Sequence, residues 1–177
     1  RSLGHPVPGG TYQYLNYSGS SYSLRVNGIP VAYTIENGYA VINREWKKGD
    51  HLEVEFPMEV RRVVARNEVK ADNNRVALER GPLVFFFEHP DNEGQVFNFV
   101  LPDNAPLKTE YEAGLLSGIQ TITAMVPVLE TSSDGMGVNT RINPVKAIPY
   151  YTWANRGQGQ MQVWIPRKIS AVQIDAD

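Results

Sequence analysis

Two Asn-Gly dipeptides, Asn27-Gly28 and Asn37-Gly38, each lie between short apolar runs, in "SLRVNGIPVAY" and "YTIENGYAVI". An Asn-Gly pair tolerates positive φ at both central positions, which a two-residue antiparallel hairpin turn demands. A third turn, "KKGD" at 47–50, leads into "HLEVEF", where Leu52, Val54 and Phe56 alternate with Glu53 and Glu55. That period of two puts the apolar set on one face and both acids in water. Three turns at nearly regular spacing predict an antiparallel meander, the beginning of a β-sandwich.

The rest of the chain continues in strands. In "RRVVARNEVKADNNRVALERGPLVFFFE", Gly81-Pro82 punctuates short apolar runs, and "LVFFFE" has the brevity and the aromatic content of a strand buried on both faces. "QVFNFVL" alternates cleanly, and "IQTITAMVPVL" is rich in β-branched residues; both are expected to be strands. "LPDNAPLKTEYEAGLLSG", broken by Pro102, Pro106 and Gly114, is expected to be loop with at most a short helical turn, and "ETSSDGMGVNTRINP" a small mobile polar loop. The chain closes on "AIPYYTW", a turn "ANRGQGQ" and "MQVWIP", expected to be a pair of strands. Almost no segment has sustained helical periodicity. Strands without intervening helices cannot build a parallel βαβ sheet, so the class is all-β. The expected fold is an antiparallel, jelly-roll-like β-sandwich in two small domains, 1–74 and 75–177, with a soft boundary near Asn73-Asn74 and the first sandwich incomplete.

Composition narrows the function. A hydrophobic share of 42% in 177 residues is enough for a core, and a net charge of −2 argues against a nucleic-acid binder. No apolar stretch is long enough to span a bilayer. Cysteine is absent, which removes disulfides, thiolate nucleophiles and cysteine-ligated zinc from this chain. The chain begins at Arg1 rather than Met, so periplasmic, secreted and cytoplasmic locations all stay open.

A glycosidase site would need two carboxylates roughly 5–10 Å apart across the bond to be cut. Most of the acids alternate outward on strands (Glu53, Glu55) or sit in turns (Asp50, Asp91, Asp103, Asp134), and no spacing singles out a pair. His5, His51 and His89 are far apart and are expected to be solvated loop histidines. "HPDNEG" lacks the alternation of a calcium loop and is better explained by turn chemistry; "NRGQGQ" lacks the strand and helix of a phosphate loop. Asn16-Tyr17-Ser18 is a glycosylation sequon, relevant only in a eukaryotic secretory pathway. Tyr12 and Tyr14 share one face of an extended segment, where they either stack on a sugar or serve as half-buried strand aromatics.

The stretch "AIPYYTWANRGQGQMQVWIP" gathers the strongest candidates for a contact surface: Tyr150, Tyr151, Trp153, Asn155, Arg156 and Trp164. Trp164 falls on the more polar side of its strand, with Gln160 and Gln162. These residues suit a sugar or an interdomain contact, or they are ordinary strand aromatics. Arg80, before Gly81-Pro82, is either part of an interdomain contact or a buried arginine satisfied by turn carbonyls.

The ordered strings "REWKKGD", "RVALERGPLV" and "IPYYTWANRG" together resemble the C-terminal region of glycoside hydrolase family 127, whose type members are β-L-arabinofuranosidases. The resemblance covers most of residues 5–88 and 147–167 and is weak between about 91 and 145. It implies a bacterial enzyme with an N-terminal (α/α)6-barrel carrying the active site, followed by two β-sandwiches. Catalysis there uses a cysteine nucleophile near a cysteine- and glutamate-held zinc, with a glutamate acid/base. No position here matches those motifs, so no catalytic residue, zinc site or other cofactor is expected in this chain. The resemblance implies a non-catalytic accessory module whose partners are the barrel, a second copy of the chain and an oligosaccharide; neither nucleic acid nor membrane is among them. An independent carbohydrate-binding module is the alternative. "RSLGHP" keeps only a trace of a strand found in such proteins, so dimerisation or local rearrangement of the first sandwich is expected.

Overall fold

The computed structural model describes residues 10–15, 22–133 and 136–172. In chain order the strands are β1 (Tyr12–Leu15), β2 (Ser23–Val26), β3 (Ile29–Pro30), β4 (Thr34–Glu36), β5 (Tyr39–Val41), β6 (Leu52–Glu55) and β7 (Val60–Ala65). They are followed by β8 (Arg75–Arg80), β9 (Leu83–Glu88), β10 (Lys108–Glu112), β11 (Ile119–Thr131), β12 (Val138–Pro149), β13 (Met161–Gln162) and β14 (Ile165–Pro166). Pairing is antiparallel throughout, and helix is confined to four short 3-10 turns among the described residues. The fold is an all-β sandwich.

The first third forms a small sheet in the order β3-β2-β6 and a ribbon of β4 with β5. Both Asn-Gly turns take the expected form. Asn27 and Gly28 have φ of 52° and 77°, and Asn37 and Gly38 have 52° and 87°. Asn27 also reaches outward: its Nδ2 donates to Asp50 (2.8 Å) and its Oδ1 accepts from the His51 backbone N–H (2.8 Å). The hairpin turn is thereby locked to the turn at 47–50. The alternation in β6 is real, yet its apolar face is not covered. Leu52, Val54 and Phe56 are exposed, and only Leu24 and Val26 of the facing β2 are buried.

The second part is one large sheet ordered β1-β7-β8-β9-β12-β11-β10, with two short additions. The β8–β9 hairpin pairs only over Leu78–Arg80 and Leu83–Phe85 and then splays into a fork. The C-terminal segment fills that fork: β13 pairs with β9 (Gln162 with Phe87) and β14 pairs with β8 (Ile165 with Val76). Residues of β7 and β8 (Val64, Leu78) and of β11 and β12 (Val126, Val145) meet in a single core. The sheet therefore curls over on itself. The turn holding Asn73-Asn74 joins the paired strands β7 and β8.

Strand β9 is buried on both faces, as its sequence implies. Phe85 and Phe87 point into the large core, whereas Phe86 packs with Ile119 and Ile148 in a second cluster on the other side. Other expectations are corrected. Residues 96–101 do not form a strand; the segment is extended, joined to β11 by the single bridge Phe99–Val128, because its amides bond partly to side chains and to separate strands. Lys108–Glu112, expected as loop, is β10, an exposed strand held by its antiparallel pairing with β11 despite the prolines before it. Val138–Pro149, whose polar start was expected as loop, is a long strand pairing with β11 from Val138 onward. The closing segments do not pair with each other: "AIPYYTW" begins in the end of β12, which pairs with β9, while "MQVWIP" supplies β13, which also pairs with β9, and β14, which pairs with β8. The sequon at 16–18, His5 and "RSLGHP" lie outside the described residues.

Phe86→Ala is expected to cost about 3–5 kcal/mol in chemical denaturation, through lost burial and the cavity left behind. A second expectation concerns pH. Arg167 ties the end of β14 to Asp103, and its hydrogen bond is the main reason the Asp103 carboxyl sits below the usual carboxylate range. Because the folded-state value is depressed, this stabilisation is present above the unfolded carboxylate value and is lost as pH falls through the folded one. Thermal melts below about pH 4 are expected to drop less steeply for Asp103→Asn than for the parent chain.

Candidate contact site

The outer face of β9 carries the site. Phe86 and Glu88 are two residues apart on a strand and so project to the same side. Phe86 meets Tyr150 edge-on, with ring centroids 5.7 Å apart. Glu88 is almost fully buried, and Arg156 lies against it as its ion-pair partner. Arg156 donates from Nε (3.0 Å) and Nη2 (2.6 Å) to Glu88 Oε2. The same guanidinium donates from Nη1 (2.9 Å) and Nη2 to the two oxygens of Asp91. β9 and the 3-10 turn that follows it, His89–Asp91, thus anchor both ends of the 150–156 loop, by a hydrophobic contact at one end and a two-carboxylate clasp at the other. The clasp holds the proton on Arg156 more tightly than usual, chiefly through the hydrogen bond to Asp91.

Inside the loop the backbone is self-satisfied. Thr152 donates to the Pro149 carbonyl (2.6 Å), the Trp153 amide to Tyr150 (3.1 Å), and Asn155 Nδ2 to the Thr152 carbonyl (2.9 Å). Tyr150 and Trp153 stack at 6.0 Å with an interplanar angle of 20°. Tyr150 is 43% exposed, Tyr151 64% and Trp153 51%, so the stack faces solvent with Tyr151 nearby in the chain. At the loop's far end Gly159 runs so close to His89 that a β-carbon there would lie 2.1 Å from the imidazole. No larger residue fits without displacing one of them.

Tyr150, Tyr151, Trp153, Asn155 and Arg156 are therefore brought together on one loop. Trp164 is set apart. It stacks on Tyr12 at 5.3 Å, and its carbonyl accepts from Arg75 (2.9 Å). Tyr14 is half-buried, its hydroxyl donating to Glu79 (2.7 Å) and its ring lying under Arg61 at 4.4 Å. The turn carbonyl of Gly81 is bound by Arg61 and not by Arg80, whose Nε is buried without a partner. His89 is half-buried with an enclosed Nδ1 rather than solvated, because the loop at 159–160 lies against it and its amide donates to the Gln160 carbonyl. Sequence reading missed Glu88 and Asp91 as the clasp. The available signal was an acid at the end of a fully apolar run, a position that burial makes costly unless a cation reaches it.

Among the described residues no three of His, Cys, Asp and Glu converge to hold a metal, and the chain has no cysteine. Without a thiolate, these residues do not fit a cysteine-held zinc.

Arg156→Ala would leave Glu88 buried without its cation, and a loss on the order of 2–4 kcal/mol is expected in urea unfolding. Arg156→Lys is expected to recover only part of it, since an ammonium cannot bridge two carboxylates in fork geometry.

Comparison with known proteins places this geometry in a family. Residues 60–166 match the glycoside hydrolase family 127 C-terminal domain, and residues 16–58 match the β-L-arabinofuranosidase GH127 middle domain. The chain is 34% identical over 165 residues to the non-reducing end β-L-arabinofuranosidase of Bifidobacterium longum subsp. longum, covering 84% of this chain and 24% of that protein. A solved GH127 β-arabinofuranosidase superposes with a TM-score of 0.86 at 39% identity, over 94% of this chain and 26% of that one. A GH127 β-L-arabinofuranosidase from Geobacillus stearothermophilus T6 superposes with a TM-score of 0.77 at 35% identity, over 89% of this chain and 26% of the other. The chain thus spans about a quarter of the length of these relatives. Since the C-terminal domain model alone takes in all of the large sheet from β7 to β14, the chain belongs to glycoside hydrolase family 127.

Proposed function

We propose that this chain is a non-catalytic β-sandwich module of a β-L-arabinofuranosidase-like glycosidase, docking through exposed apolar side chains onto the catalytic (α/α)6-barrel of such an enzyme. The observation that carries this reading is the uncovered apolar surface. Ile29 is 70% exposed, Tyr39 75% and Phe56 66%, with Trp46, Leu52 and Val54 also open and the Tyr150–Trp153 stack on the 150–156 loop. Exposed apolar area on this scale is uncommon in a free-standing domain and marks a surface that meets another. Supporting the choice of occupant, the relatives carry about three times as much chain again beyond the matched part. Anchored aromatics such as Tyr151 and Trp153 have the character of interface hot spots: large, rigid and already ordered before contact.

The test uses this chain and the separately produced remainder of the Geobacillus relative, from which the matched region is deleted. Co-elution in size-exclusion chromatography is expected, weakened at least ten-fold by Tyr151→Ala/Trp153→Ala. Association that ignores those substitutions, or no association at all, overturns the docking role. A dimer of the chain alone in sedimentation would assign the apolar face to a second copy instead.

A carbohydrate-binding module is the second reading, supported by the solvent-facing Tyr150, Tyr151 and Trp153. Titration with arabino- and galacto-oligosaccharides, followed by tryptophan fluorescence, decides it. Saturable quenching lost in Trp153→Ala supports it, and no response into the millimolar range removes it.

A further inference from the structure

On the large sheet, away from the aromatic loop, a cleft of about 440 Å³ opens between the 92–99 segment and the facing parts of β11 and β12. Its volume falls in the range of small-ligand sites and suits one or two sugar rings. Its floor is apolar and buried, formed by Phe99, Val128 and Val145. Its rim is polar, and one aromatic breaks that rim. In the run 96–101, Val96, Phe99, Val100 and Leu101 are all buried, whereas Phe97 is 44% exposed and lines the cleft.

The rim amides are held in place. Asn98 donates its Nδ2 to the Leu129 carbonyl (3.2 Å), which leaves its Oδ1 as an acceptor. Gln160 uses its Oε1 on the Val96 amide (3.0 Å), which leaves its Nε2 as a donor. Asn143 donates to Glu93 (3.2 Å), which leaves a second amide oxygen. The charge in the cleft is already neutralised in part. Arg141 beside it binds both Glu93 and Glu130, each at 2.6 Å. No free cation is left among the lining residues to attract an anion, and the described residues hold no three-ligand metal cluster.

From this set of fixed acceptors and donors around one exposed aromatic face, we propose that the cleft is a binding site for a neutral saccharide. Hydroxyls both donate and accept, so they match a rim that offers both, and the C–H face of a pyranose or furanose ring suits Phe97. Two carboxylates on the rim accept further hydroxyls while repelling phosphate and acidic ligands. The site is separate from the 150–156 loop and does not depend on docking to a barrel.

The experiment is an NMR titration of the full chain with arabino-oligosaccharides, with inorganic phosphate as a parallel probe. The expected result is saturable shifts of the Phe97, Asn98 and Asn143 amides with a dissociation constant on the order of 1 mM, as for a shallow open site. Phe97→Ala is expected to weaken binding at least ten-fold, and Trp153→Ala to leave it unchanged. Should Phe97→Ala lower the melting temperature, Gln95→Ala/Thr131→Ala, at two exposed residues that also line the cleft, replaces it and is expected to weaken binding several-fold. No saturable shift up to about 20 mM sugar, equal response to phosphate, or binding lost in Trp153→Ala and kept in Phe97→Ala each overturns the site. The last outcome would leave the aromatic-loop reading standing, so the two failures are distinguishable.

Discussion

The structure depends on a strand whose last four residues are buried on both faces. β9 sends Phe85 and Phe87 into the large core and turns Phe86 and Glu88 the other way, and all four are buried. A strand in that position must satisfy two unlike environments at once, one greasy and one carrying a charge. The greasy side is met by β8, β11 and β12 residues, and the charged side by Arg156. Without the guanidinium, Glu88 would be buried with no counter-ion, and the 150–156 loop would keep only its hydrophobic anchor at Phe86. The clasp therefore couples the core of the sandwich to the loop that displays its aromatics.

Local patterns carried much of this. The Asn-Gly turns, the two-sided burial of "LVFFFE" and the long β-branched strand β11 follow from φ preferences and side-chain alternation, which are properties of neighbouring residues. What local pattern could not supply was pairing over distance. β10 hides among prolines because its register is set by β11 and not by its own composition. The polar beginning of β12 resembles loop because that part of the hairpin projects beyond the core, where Asn139, Thr140 and Arg141 need no apolar face. The run at 96–101 has the alternation of a strand, yet its amides are shared among β11, β14 and a glutamine side chain.

The candidate site was legible to the same extent. Tyr150, Tyr151 and Trp153 stand out by type, and a surface role follows from a loop set between strands. That Trp164 belongs with Tyr12 required the strand order, since the two residues are far apart in the chain. The partners of Arg156 were equally hidden, because Glu88 and Asp91 lie far back along the sequence. Ion pairs and stacks across a sheet are set by topology, and a single sequence displays topology only after its strands have been paired.

The fork between β8 and β9 has a further meaning for how the molecule comes into being. Its two prongs precede in the chain the residues that close it, since Gln162 beside Phe87 and Ile165 beside Val76 both follow far downstream. A nascent chain emerging from the ribosome holds an open, sticky cleft between its central strands until almost the whole of this region has been translated. Assembly of the sandwich is then slow and non-local, as expected when distant segments must meet before either is stable. During that interval the exposed strand edges are the points at which a chaperone, or a neighbouring nascent copy, would make contact first.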